Sequence, residues 1–286
     1  MISVAMASYN GEKYIEEQIE SIMNQKLPVD EIVIVDDCST DNTVKIIEKI
    51  RNNSNVEINL FVNEKNVGYI ENFRRAVEKT KGDVIFLSDQ DDIWYEDKTK
   101  RMIHIMENKD VEVLCTQYDI IDSKGKYISS DDLRFNGNME CIKDPIANIS
   151  FLRLLFGNAA PGCTYCFTKH IKQLYLRKVK NPIIHDYAIC LIGAALGKLY
   201  MYNGKTIKYR LHENNNIGID KKNEKQKLEL KGRKKPYLIA FLEDYYDIMK
   251  KSDKVKAKVI LYLRIPAIKV ICRNFLIGIR ERFRRG

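Results

Sequence analysis

The chain has 286 residues, 45% of them hydrophobic and 30% charged, with a formal net charge of +9. This length is enough to bury a core, and this balance excludes a disordered or fibrous chain. No apolar run approaches the ~20 residues of a membrane-spanning helix, and the seven cysteines are odd in number and scattered, which excludes a disulfide framework.

Residues 2–7, ISVAMA, follow Met1 directly and read as a buried strand, so no leader segment is expected. Apolar Ile15, Ile19, Ile22 and Met23 then recur at helical spacing. Residues 31–37, EIVIVDD, are strand-like. Ser39 and Thr40 are expected to cap the next helix, whose inner face is Val44, Ile47 and Ile50. A third strand over 56–62, a helix over 69–80 and a strand over 84–87 follow.

Strands alternating with helices predict an α/β fold, a mostly parallel sheet flanked by helices. Ligands of such sheets bind beyond the carboxyl ends of the strands. Here those ends read Ala7-Ser8-Tyr9-Asn10, Asp36-Asp37-Cys38-Ser39 and Ser88-Asp89-Gln90-Asp91-Asp92. Packed carboxylates at two neighbouring strand ends repel one another unless something neutralises them. Gly-rich phosphate cradles are missing from the sequence. Hard oxygen ligands suit Mg2+ or Mn2+, and such an ion would in turn neutralise a diphosphate. The competing explanation, Asp residues in a helix's first turn meeting its dipole, suits Asp92 alone better than the whole cluster.

Residues 111–215 read as a continuation of the same fold. Two segments stand out, NAAPGCTYCF at 158–167 and the stretch from His185-Asp186 to the Tyr209-Arg210-Leu211-His212 strand end. Cys163 and Cys166 lack a second pair at zinc spacing and are expected to be buried thiols. A carboxylate opening a helix is ordinarily a cap, and a lone histidine is ordinarily structural. Spacing alone therefore takes neither Asp186 nor His212 to the acidic cluster.

The combination ASYNGEKYIEEQIESI (7–22), DEIVIVDDCSTDNT (30–43), NVGYIENF (66–73), GDVIFLSDQDDIW (82–94), HDY (185–187) and YRLHENN (209–215) resembles a family 2 glycosyltransferase of the GT-A fold. The resemblance points to the rhamnosyltransferase-like branch of bacterial polysaccharide biosynthesis and covers roughly residues 1–215. It implies an inverting, metal-dependent transfer of a single sugar from a nucleotide donor, dTDP-L-rhamnose or a UDP-sugar, to a glycan or lipid-linked acceptor. Ala7, Tyr9 and Asn10 would line the nucleotide site, and Asp37 would accept a hydrogen bond from the base edge. Asp89 and Asp91 match the family's Asp-x-Asp, with Asp91 on the metal and Asp89 on the ribose or the metal. Asp186 matches the catalytic base, His212 a late histidine reaching the metal or diphosphate, and Arg210 a cation for phosphate. The Gln-x-x-Arg-Trp motif of processive members is absent. Ala7 stands where some members carry a hydroxyl, and His185 stands where an acidic residue often precedes the base. The rivals are a nucleic-acid-binding module using the basic tail, a catalytically silent sugar-nucleotide-binding subunit and a nucleotidyltransferase; the retained Asp89, Asp91, Asp186 and His212 speak against the silent subunit.

Within 1–215, residues 1–110 are expected to bind the nucleotide sugar and 111–215 to face the acceptor. Residues 216–236 read as a charged connection, and 237–286 as a basic amphipathic tail that Pro266 breaks into two helices. Residues 250–286 hold 12 Lys and Arg against 2 Asp and Glu, whereas residues 1–249 sum to −1. Such a tail is expected on an anionic membrane surface, peripheral to the inner face of the cell membrane, with packing on the catalytic core as the alternative. It carries no nucleic-acid reading motif, so no nucleic-acid partner is expected.

Overall fold

The computed structural model describes residues 1–128, 145–154, 158–177, 183–213, 241 and 244–249. The expected connection at 216–236 and nearly all of the tail, with its membrane contact, lie outside the described residues.

Among the described residues, nine strands form one sheet: β1 (Ile2–Ser8), β2 (Glu31–Asp36), β3 (Glu57–Val62), β4 (Val84–Ser88), β5 (Ile93–Trp94), β6 (Val113–Ile121), β7 (Ile146–Asn148), β8 (Cys166–Thr168) and β9 (Leu199–Arg210). The order is β3-β2-β1-β4-β8-β6-β9-β5, with β7 also on β9. Strands β3, β2, β1 and β4 run parallel, β8 is antiparallel to both β4 and β6, and β6 and β9 are again parallel. The expected α/β fold is present, and its sheet is continuous across residue 110 because β8 joins β4 to β6.

Helices α1 (Ile15–Met23), α2 (Thr43–Asn52), α3 (Tyr69–Lys79), α4 (Lys98–Asn108), α5 (Phe151–Leu154), α6 (Lys169–Tyr175) and α7 (His185–Leu196) cover the sheet. All six positions of β2 are buried, as a β-branched strand covered on both faces requires. One core layer joins Phe73 and Val77 of α3 to Ile189 and Leu191 of α7, and the other joins Ile19 and Ile22 of α1 to Met102 of α4. Ten of the twelve residues of α7 are buried, and Gly197 ends it at φ 72°. An apolar helix of this kind is a core element, and it carries Asp186 in its first turn.

The expected cap of α2 is not formed. That helix begins at Thr43, whose N–H meets Asp41 Oδ1 at 2.9 Å. Ser39 Oγ instead accepts from Asn10 N–H at 2.8 Å and donates to Asp36 at 2.6 Å, and Thr40 N–H donates to Asn10 Oδ1 at 2.9 Å. These side chains tie the β2 end to the loop after β1.

Candidate active site

The parallel strands β1, β2 and β4 deliver their carboxyl ends to one edge of the sheet. After β1, Tyr9 is exposed and Asn10 adopts φ 48°, a left-handed conformation that asparagine tolerates better than most residues. Ala7 is half-buried on β1. Gln90 clamps this loop: its Oε1 accepts from Tyr9 N–H at 2.9 Å and its Nε2 donates to Tyr9 O at 3.0 Å. Gly11 makes the clamp possible, because a Cβ there would lie 2.3 Å from Gln90 Oε1.

Asp91 and His212 meet directly, Nε2 to Oδ2 at 2.8 Å, with 14% and 11% of their side chains exposed. The His212 ring also lies 5.0 Å from the ring of Tyr14 on the approach to α1. Strand β9 is what returns the late histidine to the acidic edge. Its pairing with β6 continues to Arg210, and Leu211 N–H extends the ladder to Ile121 O at 2.8 Å.

Arg210, expected at phosphate, is turned inward with 3% of its side chain exposed. Its Nε donates to Asp91 O at 2.8 Å, a terminal nitrogen reaches Glu17 at 2.6 Å, and the guanidinium lies 4.6 Å over the Tyr14 ring. Its backbone N–H reaches Asp92 Oδ1 at 3.0 Å. Those partners make it a clamp on the Asp91 main chain, and its planar fork suits that task.

Asp37, expected at the base edge, is 2% exposed and already accepts three hydrogen bonds: Asn63 Nδ2 at 2.9 Å, Val67 N–H at 2.8 Å and Gly68 N–H at 2.8 Å. It fixes the turn into α3, where Gly68 sits at φ 83°. A carboxylate offers about four acceptor positions, so one remains for a ligand.

Negative charge is concentrated beyond β4. Burial raises Asp89 well above the usual carboxylate range, and the charges of Asp92, Asp91 and Asp186 add to the effect. Burial, followed by Asp91, pushes Asp92 up to about 7, and Asp92 Oδ2 has no hydrogen-bond partner among the described residues. Asp89, Asp92 and Cys163 place ligand atoms within 4.8 Å of one another. The Cys163 thiol is driven well above its ordinary pKa by burial, which keeps it protonated and unsuited to a hard cation. The fully buried Lys98 lies beneath the cluster, with Nζ donating to Cys163 O at 2.7 Å and lying 4.0 Å over the Trp94 ring. Asp91 with His212, and Asp89 two residues before Asp91 in the chain, offer carboxylate and imidazole donors whose chemistry fits Mg2+ or Mn2+. Ionising these crowded, buried carboxylates together is costly unless a cation sits among them, which is the physical reason one would be held.

Asp186 stands in the first turn of α7. One oxygen accepts from Tyr187 N–H at 2.6 Å, and burial pushes the carboxyl up to about 6. Its neighbour His185 stacks on Phe73 at 3.8 Å, and burial depresses it to about 3, so it is neutral. The charge of Asp186 is felt at Asp89. The fold therefore pairs Asp91 with His212 and leaves Asp186 within electrostatic reach of Asp89, while Arg210 and Asp37 are engaged by internal partners. Glu17, Tyr14, Gln90 and Lys98 were not foreseen as site residues. Only Gln90, between the two Asp residues of the motif, carried a usable signal.

The model of the family described as Glycosyl transferase family 2 matches residues 3–171. The chain belongs to this family. It is a nucleotide-sugar glycosyltransferase with a GT-A-like fold. It is 30% identical over 227 residues to the dTDP-rhamnosyl transferase RfbG of Shigella flexneri, covering 75% of this chain and 74% of that protein. Among solved structures, Staphylococcus aureus TarS 1–349 in complex with UDP-GlcNAc superposes with a TM-score of 0.66 at 19% identity, over 90% of this chain and 70% of that one. The mannosyltransferase PcManGT from Pyrobaculum calidifontis, in complex with GDP-Man and Mn2+, gives 0.57 at 16% identity, over 92% and 70%. These two likenesses concern the fold. No described helix is long and apolar enough to cross a membrane.

Proposed function

We propose that this glycosyltransferase moves a single L-rhamnose from dTDP-L-rhamnose to a glycan or lipid-linked acceptor in surface-polysaccharide synthesis, inverting the anomeric carbon. The observation that carries the assignment of the site is the meeting of Asp91 and His212 at the end of β4, beside Asp89. The likeness to the rhamnosyl transferase RfbG supports the donor. A UDP-hexose donor is the second reading; the TarS complex with UDP-GlcNAc is an instance of this fold holding a UDP-sugar.

Asp91, His212 and Asp89 are the proposed ligands of a divalent cation. When bound, that ion offsets the negative charge developing on the departing diphosphate. In this reading Ala7, Tyr9 and Asn10 line the nucleotide side, and Asp37 fixes the turn into α3 beside it. Asp186 takes the proton of the acceptor hydroxyl as its oxygen attacks the anomeric carbon. The bond from that carbon to the diphosphate oxygen breaks with its electron pair going to the diphosphate. A carboxyl near 6 is mostly ionised at neutral pH yet still basic enough to accept a proton, the condition general-base catalysis favours. One base and one displacement give inversion with no covalent enzyme intermediate.

A thermal-shift and hydrolysis screen tests this reading, with dTDP-L-rhamnose, UDP-glucose, UDP-galactose, UDP-GlcNAc and GDP-mannose, each with and without Mn2+. The expected result is Mn2+-dependent stabilisation and slow hydrolysis with dTDP-L-rhamnose. The same response with a UDP-sugar selects the second reading, and no response to any donor overturns both.

A further inference from the structure

Helix α1 carries a polar residue where its pattern calls for an apolar one. Gln18 lies on the face that Ile15 and Ile22 turn into the core, three and four residues away, and it is fully buried. A buried amide needs hydrogen-bond partners. Those of Gln18 are the neighbouring Ser21 and, across the interior, the end of β4.

Gln18 Nε2 donates to Ser88 Oγ at 2.7 Å, and Ser88 Oγ donates to Asp89 O at 2.9 Å. A serine hydroxyl has one proton to give and lone pairs to accept, so both bonds are made at once. Gln18 Oε1 lies 3.5 Å from Ser21 Oγ, which donates to Gln18 O at 2.8 Å and accepts from Trp94 N–H at 3.0 Å. The preceding residue of α1 repeats the arrangement two positions along the acidic segment: Glu17 pairs with Arg210, whose Nε donates to Asp91 O at 2.8 Å. Past the helix, Gln25 Nε2 donates to Tyr95 O at 2.9 Å and Lys26 N–H to Glu96 O at 2.7 Å. The main chain from Asp89 to Glu96 is thus laid along α1 and tied to it repeatedly, while the Gln90 side chain between the two Asp residues holds the Tyr9 loop.

We propose that Gln18 is a positioning residue for the carboxylates of the cation site: through Ser88 it fixes the Asp89 carbonyl, as Arg210 fixes that of Asp91, so that α1 sets how the two side chains are presented. This rests on the reading of Asp89 and Asp91 as cation ligands. A carboxylate meets a metal in a fixed geometry only if the main chain that carries it is itself held. Packing alone does not require the amide, since methionine has a similar length and would fill the same space with apolar atoms.

The test is Mn2+ binding to the full chain, read as loss of the electron paramagnetic resonance signal of free Mn2+, beside the Mn2+ concentration that gives half-maximal donor hydrolysis. Gln18→Met is expected to weaken Mn2+ binding ~10-fold, the low end of what partners of metal ligands contribute. The loss should appear in the Mn2+ requirement more than in kcat at saturating Mn2+. Ser88→Ala removes the other half of the relay and should do the same, and this variant carries the test if Gln18→Met does not fold. The double variant should lose no more than either single one, as two members of one relay require. Ile22→Val loosens α1 through lost packing alone and should keep the wild-type Mn2+ affinity. Wild-type Mn2+ affinity in both Gln18→Met and Ser88→Ala overturns the proposal. An equal loss in Ile22→Val also overturns it, because the effect would then be general to the helix, and losses that add in the double variant overturn the relay. Asp91→Asn separates these outcomes from the reading beneath them. If the wild type binds no Mn2+, or Asp91→Asn binds it as the wild type does, the cation-site reading itself fails.

Discussion

His212 Nε2 lies 2.8 Å from Asp91 Oδ2, although 121 residues separate them in the chain. Their pairing makes the C-terminal end of β9 part of the same site as the end of β4. Asp91→Asn and His212→Ala are each expected to abolish Mn2+-dependent stabilisation by the donor and to lower kcat by roughly 10²-fold. The fold should persist, since neither side chain is in the apolar core. Thermal shift with and without Mn2+ checks this, and full Mn2+-dependent stabilisation in both variants would refute the pairing as a cation site.

The Gln90 clamp on Tyr9 depends on the missing Cβ of Gly11. Gly11→Ala drives the new methyl into Gln90 Oε1, the far end of a side chain that can swing away. The Tyr9 loop then loses both hydrogen bonds, at about 1 kcal/mol each. The donor KM should rise several-fold with little change in kcat. Adding Gln90→Ala should relieve the clash without restoring KM, which a double-mutant cycle on KM and stability resolves.

Arg210 holds the main chain of Asp91 from inside the fold. Arg210→Ala is expected to cost about 2–4 kcal/mol, because Glu17, the Asp91 carbonyl and the Tyr14 face lose a shared partner. Arg210→Lys keeps the charge but cannot reproduce the fork, and should recover only part of that loss. Urea unfolding measures both. A variant with unchanged stability but a raised donor KM would return Arg210 to the phosphate role that its sequence position suggested.

His185 gives a pH signature of its own. Its folded pKa of about 3 lies below the unfolded value of about 6.5, so the fold favours the neutral ring. Its contribution to stability is complete above the unfolded pKa and is lost as pH falls from about 6.5 toward about 3. Asp92 and Asp186, both raised, act in the opposite sense: their burdens grow as pH rises through the carboxylate range toward about 7 and about 6. His185→Asn leaves those terms in place. The gap in stability between wild type and variant should therefore narrow by on the order of a few kcal/mol on acidification, read from urea midpoints between pH 7 and pH 4.

The strand ends were legible because β-branched runs stop at polar clusters, and the parallel rhythm sends those ends to one edge. That pattern singled out the acidic cluster around Asp89 and Asp91, and the family resemblance supplied their separate expected roles. Asp186 and His212 were reachable only through the family resemblance, since no periodicity in the sequence shows that β8 lies between β4 and β6 or that β9 returns to the acidic edge. Arg210 and Asp37 were expected to face ligand because of the family resemblance. The structure surrounds both with internal partners that local sequence cannot reveal, drawn from α1 in one case and the turn into α3 in the other. Lys98 gave no signal at all, being one cation in a charged stretch, and its burial is a consequence of tertiary packing.

The most direct measurement is sugar transfer by Asp186→Asn under single-turnover conditions, with donor affinity measured on the same protein by calorimetry. The account predicts donor affinity within a few-fold of wild type and a rate lower by ~10²-fold or more. A variant that binds donor normally and turns over at the wild-type rate would contradict the central claim that the carboxylate at the start of α7 is the base.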